Sequence, residues 1–357
     1  MNEEIRSLID RLCETGTLSP AEYARLIEQR TPEAALLLAG RADAMRRKVY
    51  GNRVYIRGLI EISNICKNDC LYCGIRRSNT RCSRYRLSRE DILAVCREGY
   101  RLGFRTFVLQ GGEDGYFTDD VMCDIVREMK RSHPDCAVTL SLGERSRESY
   151  ARLRAAGADR YLLRHETASR AHYQKLHPAD MSFDHRMCCL RDLKALGYQT
   201  GCGFMVGSPY QTAQDLAQDL RFIEEFRPEM VGIGPFIPHE ATVFANNSAG
   251  SVELTCYLLS IIRLICPSVL LPATTALGTL DPNGREKGIL AGANVVMPNL
   301  SPPAVRKKYE LYNNKLSDGE ESAQCVESLK ARMAAIGYDV VTDRGDAACG
   351  QDLIRRT

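Results

Sequence analysis

No stretch of this sequence reaches the roughly 18 to 20 uninterrupted apolar residues that a membrane-spanning helix needs, which gives the expectation of a chain with no membrane segment. The opening Met-Asn-Glu-Glu-Ile-Arg lacks the basic-then-apolar order of a secretory leader. Neither sign of charge prevails. Forty-eight Lys and Arg against 45 Asp and Glu leave +3 over 357 residues, so composition makes no case for a nucleic-acid partner. The local basic runs Arg76-Arg77 and Arg306-Lys307-Lys308 read as solvated faces. A disulfide framework is also missing. The 15 cysteines are scattered along a long chain, and an odd count leaves at least one unpaired. The expectation is therefore a reducing cytoplasm and an oxygen-sensitive protein.

What is present fits a globular protein with an ample core: 44% hydrophobic and 26% charged residues. Residues 1–50 read as a helical cover. Ser19-Pro20-Ala21-Glu22 combines an N-cap, a first-turn proline and a capping-box glutamate, and Thr31-Pro32-Glu33 repeats the start signal. From residue 54 short apolar runs alternate with amphipathic stretches. Strands are predicted at 55–62, 105–110, 137–142, 159–164, 200–206, 229–234, 268–273 and 293–297. Helices are predicted near 88–102, 118–132, 146–156, 185–196, 211–226, 251–265 and 284–291, with a C-terminal pair within 303–336. Eight such units in one α/β chain predict a closed (β/α)8 TIM-type barrel over 51–312, behind the helical extension and ahead of a C-terminal helical segment, 313–357. A barrel of this kind carries its chemistry in the loops that follow its strands. Every predicted strand here ends in polar or glycine-rich residues.

The loop after the first strand holds Cys66, Cys70 and Cys73, spaced x3 and x2, without a histidine nearer than His133. Three thiolates in so short a loop can converge on one iron–sulfur cubane. Since cluster ligation ordinarily takes four cysteines, one iron would remain open. A zinc site completed by Cys82, or ordinary surface thiols, are the competing readings of the spacing. After the second strand comes Gln110-Gly111-Gly112-Glu113, where glycines without Cβ let the backbone approach a ligand or simply turn. Arg164 and Glu166 leave the fourth strand on one side, by the period of two, as a ligand-holding pair or a structural ion pair. Arg186 opens the next helix and suits a carboxylate. The run Gly201-Cys-Gly203-Phe-Met-Val-Gly207 has the wrong spacing for a dinucleotide fingerprint. His165, His239 and Glu240 show no metal spacing and read as rim hydrogen-bonders. Thr274, Thr275 and Met297 end the last two strands, to meet a substrate or to fill the barrel.

The cysteine spacing, with aromatic Tyr72 before the last cysteine and Gly74 after it, resembles the signature of the radical S-adenosylmethionine enzymes. Further stretches resemble the [FeFe]-hydrogenase maturase subgroup HydE of the biotin-synthase-like branch. They are Thr139-Leu-Ser-Leu-Gly-Glu144, Ala158 to Thr167, Met230 to His239, Pro272 to Ala276, Val296 to Asn299, and Tyr309-Glu-Leu-Tyr312 with Lys315. The resemblance runs over roughly residues 30–340. It implies a [4Fe-4S] cluster on Cys66, Cys70 and Cys73, and S-adenosyl-L-methionine held by Tyr72, Gly111, Gly112, Glu113, Ser141, Arg164, Glu166, Arg186 and Tyr309. It places a substrate near Gln110, Thr139, Arg160, Thr274, Thr275 and Met297. That substrate would be a small organometallic or amino-acid-derived molecule. The implied partners are transient: the other hydrogenase maturases (a scaffold GTPase and a tyrosine lyase) and a low-potential electron donor such as a ferredoxin or flavodoxin. One departure is plain. Some such maturases hold a second cluster on cysteines after the Tyr-x-Leu-Tyr segment, but residues 313–324 contain none, only Cys325 follows, and Cys349 reads as a free thiol.

Overall fold

Three capped helices open the chain in the computed structural model, which describes residues 1–317 and 325–348. Helix α1 (Glu3–Thr15) starts where the Asn2 side chain accepts from the Ile5 N–H, and ends at left-handed Gly16. In α2 (Pro20–Glu28) the expected capping box of Ser19 and Glu22 is formed. Thr31 caps α3 (Pro32–Tyr50). The barrel then begins with β1 (Arg53–Ile56) and β2 (Gly58–Ser63), a single run interrupted at Arg57.

From there strands and helices alternate as α4 (Arg89–Arg101), β3 (Thr106–Gly111), α5 (Asp119–Ser132), β4 (Ala137–Ser141), α6 (Arg147–Ala155) and β5 (Arg160–Leu162). Two helices follow β5, α7 (Arg170–Leu176) and α8 (Phe183–Ala195), where one was expected. Next come β6 (Gln199–Cys202), β7 (Met205–Val206), α9 (Ala213–Phe226), β8 (Met230–Val231), β9 (Gly234–Pro235) and α10 (Val252–Ile265). The last turn of the barrel is α11 (Thr275–Leu280), α12 (Gly284–Leu290) and β10 (Val295–Val296), then α13 (Pro303–Arg306). After it lie α14 (Val326–Ala335) and β11 (Asp339–Val341). The helical cover is part of the body, with α2 packed on α9 and α3 on α10. The Tyr23 hydroxyl donates to Glu224 at 3.0 Å and that of Tyr257 to the Leu26 carbonyl at 3.0 Å.

The sheet runs β2-β3-β4-β5-β6-β8, all parallel. It closes through the bridges Met230 to Leu270 and Pro272 to Val295, and through β10 paired with β1. The seventh strand, expected at 268–273, makes only these isolated bridges. Pro272 has no N–H to give a ladder. Alternation decides what faces where. Ile60 and Ile62, Phe107 and Leu109, Val138 and Leu140, Tyr161 and Leu163, and Val231 and Ile233 pack into the core that includes the surrounding helices. Their neighbours Glu61, Gln110, Thr139 and Arg164 therefore face the lumen.

The floor of the barrel is sealed by the C-terminal segment. Strand β11 pairs in parallel with β1, with Arg53 against Asp339 and Tyr55 against Val341, a strand not anticipated because Asp-Val-Val is too short to show a period. Residues 344–348 then cross the strand starts. The Thr106 hydroxyl donates to the Arg344 carbonyl at 2.7 Å, and the Ala347 N–H to Gln199 at 3.1 Å. Cys349 and residues 318–324 of the cysteine-poor segment lie outside the described residues.

Candidate functional site

The cysteine loop is folded by an arginine. Arg84 donates to four carbonyls, those of Asn64 (2.6 Å), Ile75 (2.7 Å), Arg76 (2.6 Å) and Asn79 (3.1 Å), tying the two ends of the loop together. Inside it Asp69 accepts twice from Arg76, at 2.8 and 2.7 Å, and this contact holds the carboxyl well below its usual range. Cys66, Cys70 and Cys73 are all free thiols. Burial raises each of them, Cys73 to about 12. A metal centre bound here would take all three as thiolates, offsetting that burial. Cys82 lies close by, 3.5 Å from Asn64 Nδ2. Among the described residues, no three His, Cys, Asp or Glu side chains converge as a single ion requires. A zinc would draw its sulfurs to about 2.3 Å from one point, whereas a cubane spreads its ligands over separate irons.

The glycine turn after β3 serves this loop first. A Cβ on Gly112 would stand 2.3 Å from the Ile65 carbonyl and 2.8 Å from Cys66 Cβ, so the position must be glycine for the cysteine loop to lie against it. Glu113 continues the seam. Its N–H points to Cys66 Sγ at 3.4 Å, its carbonyl accepts from Lys67 N at 3.0 Å, and its carboxylate accepts from Glu144 N at 2.9 Å. Gly111 ends β3 itself.

Around the mouth, Gln110 and Ser141 are register partners on adjacent strands, and Gln110 donates to the buried Tyr309 hydroxyl at 3.4 Å. Across from them Arg164 Nη2 and Glu166 Oε2 are 3.1 Å apart, off the direction of a hydrogen bond. Both atoms are buried and have no hydrogen-bond partner among the described residues. Glu166 sits at φ 66°, in the left-handed region a non-glycine residue seldom adopts. Two buried groups brace that turn. Gly203 N–H donates to His165 Nδ1 (3.2 Å), which leaves His165 Nε2 to donate to Asp219 (3.1 Å). Arg186 donates from Nε to Glu144 and from Nη1 to the Arg164 carbonyl at 2.7 Å. Burial pulls its guanidinium down, but Glu144 and the phenols of Tyr173 and Tyr72 together hold it above the usual value. Tyr72 lies edge-on to His177, which is stacked on Tyr173 with ring centres 3.8 Å apart.

Deeper in the lumen, Thr139 Oγ1, Thr274 Oγ1 and two nitrogens of Arg57 are buried without a partner among the described residues. Thr275 begins α11 beside Thr274, and Met297 packs against the small cluster of Tyr55, Met230 and Val295. Native proteins seldom leave such groups unpaired, each costing about 1–3 kcal/mol. Left without partners inside the barrel, they are candidates to meet a polar ligand. Sequence reading missed Arg57, which the alternation of β1 and β2 turns inward. It also missed Glu61, fully buried between Lys315 Nζ (2.7 Å) and Asn299 Nδ2 (3.0 Å). An acid inside an otherwise apolar strand was the available signal for Glu61.

Arg160 stands apart from this group. It starts β5 as the register partner of Thr139, but its guanidinium turns to the floor of the barrel, where it donates to Thr106 (3.1 Å), to the carbonyls of Arg344 (2.9 Å) and Gly345 (3.0 Å), and to Asp346 (2.7 Å). With those partners it fastens the floor and does not join the residues at the mouth. Fourth-strand position alone did not reveal which way its side chain reaches.

The residues present suit a cubane with S-adenosylmethionine. Three free thiols flank a glycine seam, and the Arg164–Glu166 ion pair leaves buried atoms of both side chains without a hydrogen bond, a set that suits a zwitterion with hydroxyls. Residues 60–223 match the Radical SAM superfamily, and the chain belongs to that superfamily. Its nearer kinship follows from the [FeFe] hydrogenase maturase subunit HydE of Thermotoga maritima, 48% identical over 304 residues, covering 85% of this chain and 86% of that protein. The chain is a HydE-like radical SAM enzyme. It is also 28% identical to the 3-methylornithine synthase of Methanosarcina acetivorans over 339 residues, 94% of each chain. The crystal structure of methylornithine synthase (PylB) superposes with a TM-score of 0.81 at 26% identity, covering 98% of this chain and all of that one. Among the described residues no helix is long and apolar enough to cross a membrane.

Proposed function

We propose that this protein acts in assembly of the two-iron subcluster of [FeFe] hydrogenase, on a cysteine-bound iron carbonyl–cyanide precursor. The coarser part, a radical SAM role in hydrogenase maturation, rests on the similarity to HydE over most of both chains. The finer part rests on one observation, the buried guanidinium nitrogens of Arg57 and hydroxyls of Thr139 and Thr274 that have no hydrogen-bond partner among the described residues, a set suited to an anionic, hydrogen-bonding substrate.

Cys66, Cys70 and Cys73 would hold the [4Fe-4S] cluster. With S-adenosylmethionine bound, this pair of cofactors supplies a 5′-deoxyadenosyl radical. The chain's own task is to orient and to exclude. Tyr72 offers a ring face beside the cysteines, and Glu166, held in its left-handed turn, offers a carboxylate to the ribose hydroxyls. Arg164 and Arg186 present positive charge toward the ligand's carboxylate. Ser141 and Tyr309 are proposed to contact the same ligand from the opposite side, with Gly111, Gly112 and Glu113 shaping its amino end. Closed walls on every side keep water and stray hydrogen donors from the radical. Gln110, Thr274, Thr275 and Met297 are proposed to meet the substrate. The scaffold GTPase and tyrosine-lyase maturases are the proposed transient partners.

The test is anaerobic maturation of apo-hydrogenase with the other two maturases supplied and this one absent. Hydrogen uptake is expected to return on adding this chain and to stay absent with Cys66→Ala. A cluster-loaded chain that cleaves S-adenosylmethionine yet restores nothing would overturn the maturase reading and favour an amino-acid radical enzyme like the 3-methylornithine synthase to which the chain is also similar.

A further inference from the structure

The segment that follows the cysteine loop is unusually one-sided in charge. Residues 76–89 contain six arginines and no carboxylate. Four of the six are engaged within the protein: Arg84 with its four carbonyls, Arg76 with Asp69, Arg86 with Asp114 at 2.7 Å, and Arg89 with Asp124 at 2.5 Å. Arg81 is mostly exposed and only loosely faces Glu240, at 3.5 Å. Arg77 is exposed, and among the described residues its side chain makes no ion pair or hydrogen bond.

Tertiary structure brings a second basic run to the same place. Asn64 Nδ2 donates both to the Ser83 carbonyl (2.9 Å) and to the Lys308 carbonyl (2.6 Å), and Gly74 N–H donates to the Leu311 carbonyl (2.8 Å). The exposed Lys308 thus stands beside the arginine segment, 231 positions along the chain from Arg77. Its ammonium also lacks an ion-pair partner among the described residues. Lys67, immediately after Cys66, is 64% exposed but already paired with Glu113 at 3.1 Å, so it adds charge to the neighbourhood without being free. This face abuts the cysteine loop directly, because Arg77 N–H donates to the Asn68 carbonyl at 2.8 Å and Asn68 lies between Cys66 and Cys70. Arg77, Arg81 and Lys308 are exposed to solvent, whereas the proposed ligand contacts line the lumen.

Arg77 and Lys308, exposed and without ion-pair partners among the described residues, on segments that hydrogen-bond to the cysteine loop, call for an anionic macromolecule whose business is with the cluster. We propose that Arg77 and Lys308, with Arg81 and Lys67, form the docking face for a small acidic one-electron carrier protein. Electrostatic complementarity raises the encounter rate of such pairs, and their contacts are small and short-lived. In the encounter one electron leaves the reduced carrier and enters the oxidised cluster. No bond is made or broken, and the carrier departs oxidised by one electron. The proposal rests on the reductive chemistry of the radical SAM superfamily and is independent of the substrate assigned above.

The test uses the cluster-loaded full chain and, as probe, an acidic low-potential ferredoxin. The double variant Arg77→Glu with Lys308→Glu is compared with a control, Arg101→Glu with Lys330→Glu, outside this face. Binding is followed by calorimetry at low and at about 0.5 M salt, where charge contacts are screened. Cluster reduction is followed by loss of visible absorbance, once with reduced ferredoxin and once with a photoreduced deazaflavin. The expected result is a fall of about tenfold or more in ferredoxin affinity and reduction rate for the docking variant at low salt. The control should match the native chain. Reduction by deazaflavin, and S-adenosylmethionine cleavage driven by it, should not change in either. Equal losses in both variants, no loss in the docking variant, or no ferredoxin binding by the native chain would each overturn the docking face. A scaffold partner using this face would leave ferredoxin-driven reduction untouched, which also overturns it. Failure of the native chain to cleave S-adenosylmethionine even with deazaflavin would instead strike at the radical chemistry.

Discussion

Glu166 shows how a single backbone angle separates stability from binding. At φ 66° any Cβ is strained, by about 1 kcal/mol or more relative to glycine. Glu166→Ala and Glu166→Gly both remove the carboxylate that faces Arg164. They should lose affinity for S-adenosylmethionine alike, by about tenfold or more for a charge-assisted contact. In chemical denaturation the glycine variant should be the more stable of the two by about 1 kcal/mol. Equal stabilities would mean that the angle is not held in the folded chain. Neither the strain nor its brace, the buried His165–Asp219 contact, could be read from Arg-His-Glu in sequence, because both depend on Gly203 and α9 arriving from elsewhere. What sequence did reveal at this scale was residue type and spacing. Cys66, Cys70, Cys73 and Gly112 stand where their order in the chain implied, since a short loop and the turn beside it leave little freedom.

Among the elements, α7 is the clearest case of local signals being too weak. Its seven residues end at His177, whose Nδ1 bonds the Tyr173 carbonyl at 3.0 Å and whose Nε2 faces the Tyr72 hydroxyl at 3.4 Å. Burial, helped by the nearby Arg186 charge, pulls His177 down to about 3. An unfolded histidine titrates near 6.5, so below that value the unfolded chain takes up a proton that the folded chain refuses. The contribution is fully present above about pH 6.5 and is lost as pH falls toward 3. Between those limits the slope is about 1.4 kcal/mol per pH unit. His177→Gln should remove it: the stability difference between pH 7 and pH 5 in urea titrations should shrink against the native chain. An unchanged difference would show that this imidazole is open to water. The longer elements were legible. Helix α4 begins at the predicted Ser88 box and α2 at the Ser19 box, because a cap is written in four consecutive residues.

At the scale of the whole molecule the barrel is closed at one end by its own C-terminal segment. Fully buried Arg160 has one anionic partner there, Asp346, whose carboxyl is held near 2 despite partial burial by Arg160, Gln199 and Arg344. Asp346→Asn leaves that guanidinium with neutral partners only. A loss of about 1–3 kcal/mol is expected, in keeping with a charged hydrogen bond whose acceptor is 41% exposed. S-adenosylmethionine cleavage per loaded cluster should be preserved, because the change lies at the floor and not at the mouth. If cleavage fell while thermal stability held, Arg160 would belong with the substrate contacts after all.

Sequence by itself determined the strand–helix alternation, the closed barrel it implies, the cysteine loop and its place after the first strand. These follow from period, cap and spacing, all of which are local. Which way a side chain on a strand reaches was decided only in three dimensions, and so the Arg160 guanidinium went to the floor while Arg164, two repeats of the pleat further, went to the mouth. Tertiary structure alone gave buried Glu61 its partners Lys315 and Asn299, sealed the barrel with β11, and set Lys308 beside Ser83 of the arginine segment. Each of those depends on segments far apart in the chain meeting, and a pattern within one segment carries no record of its partner.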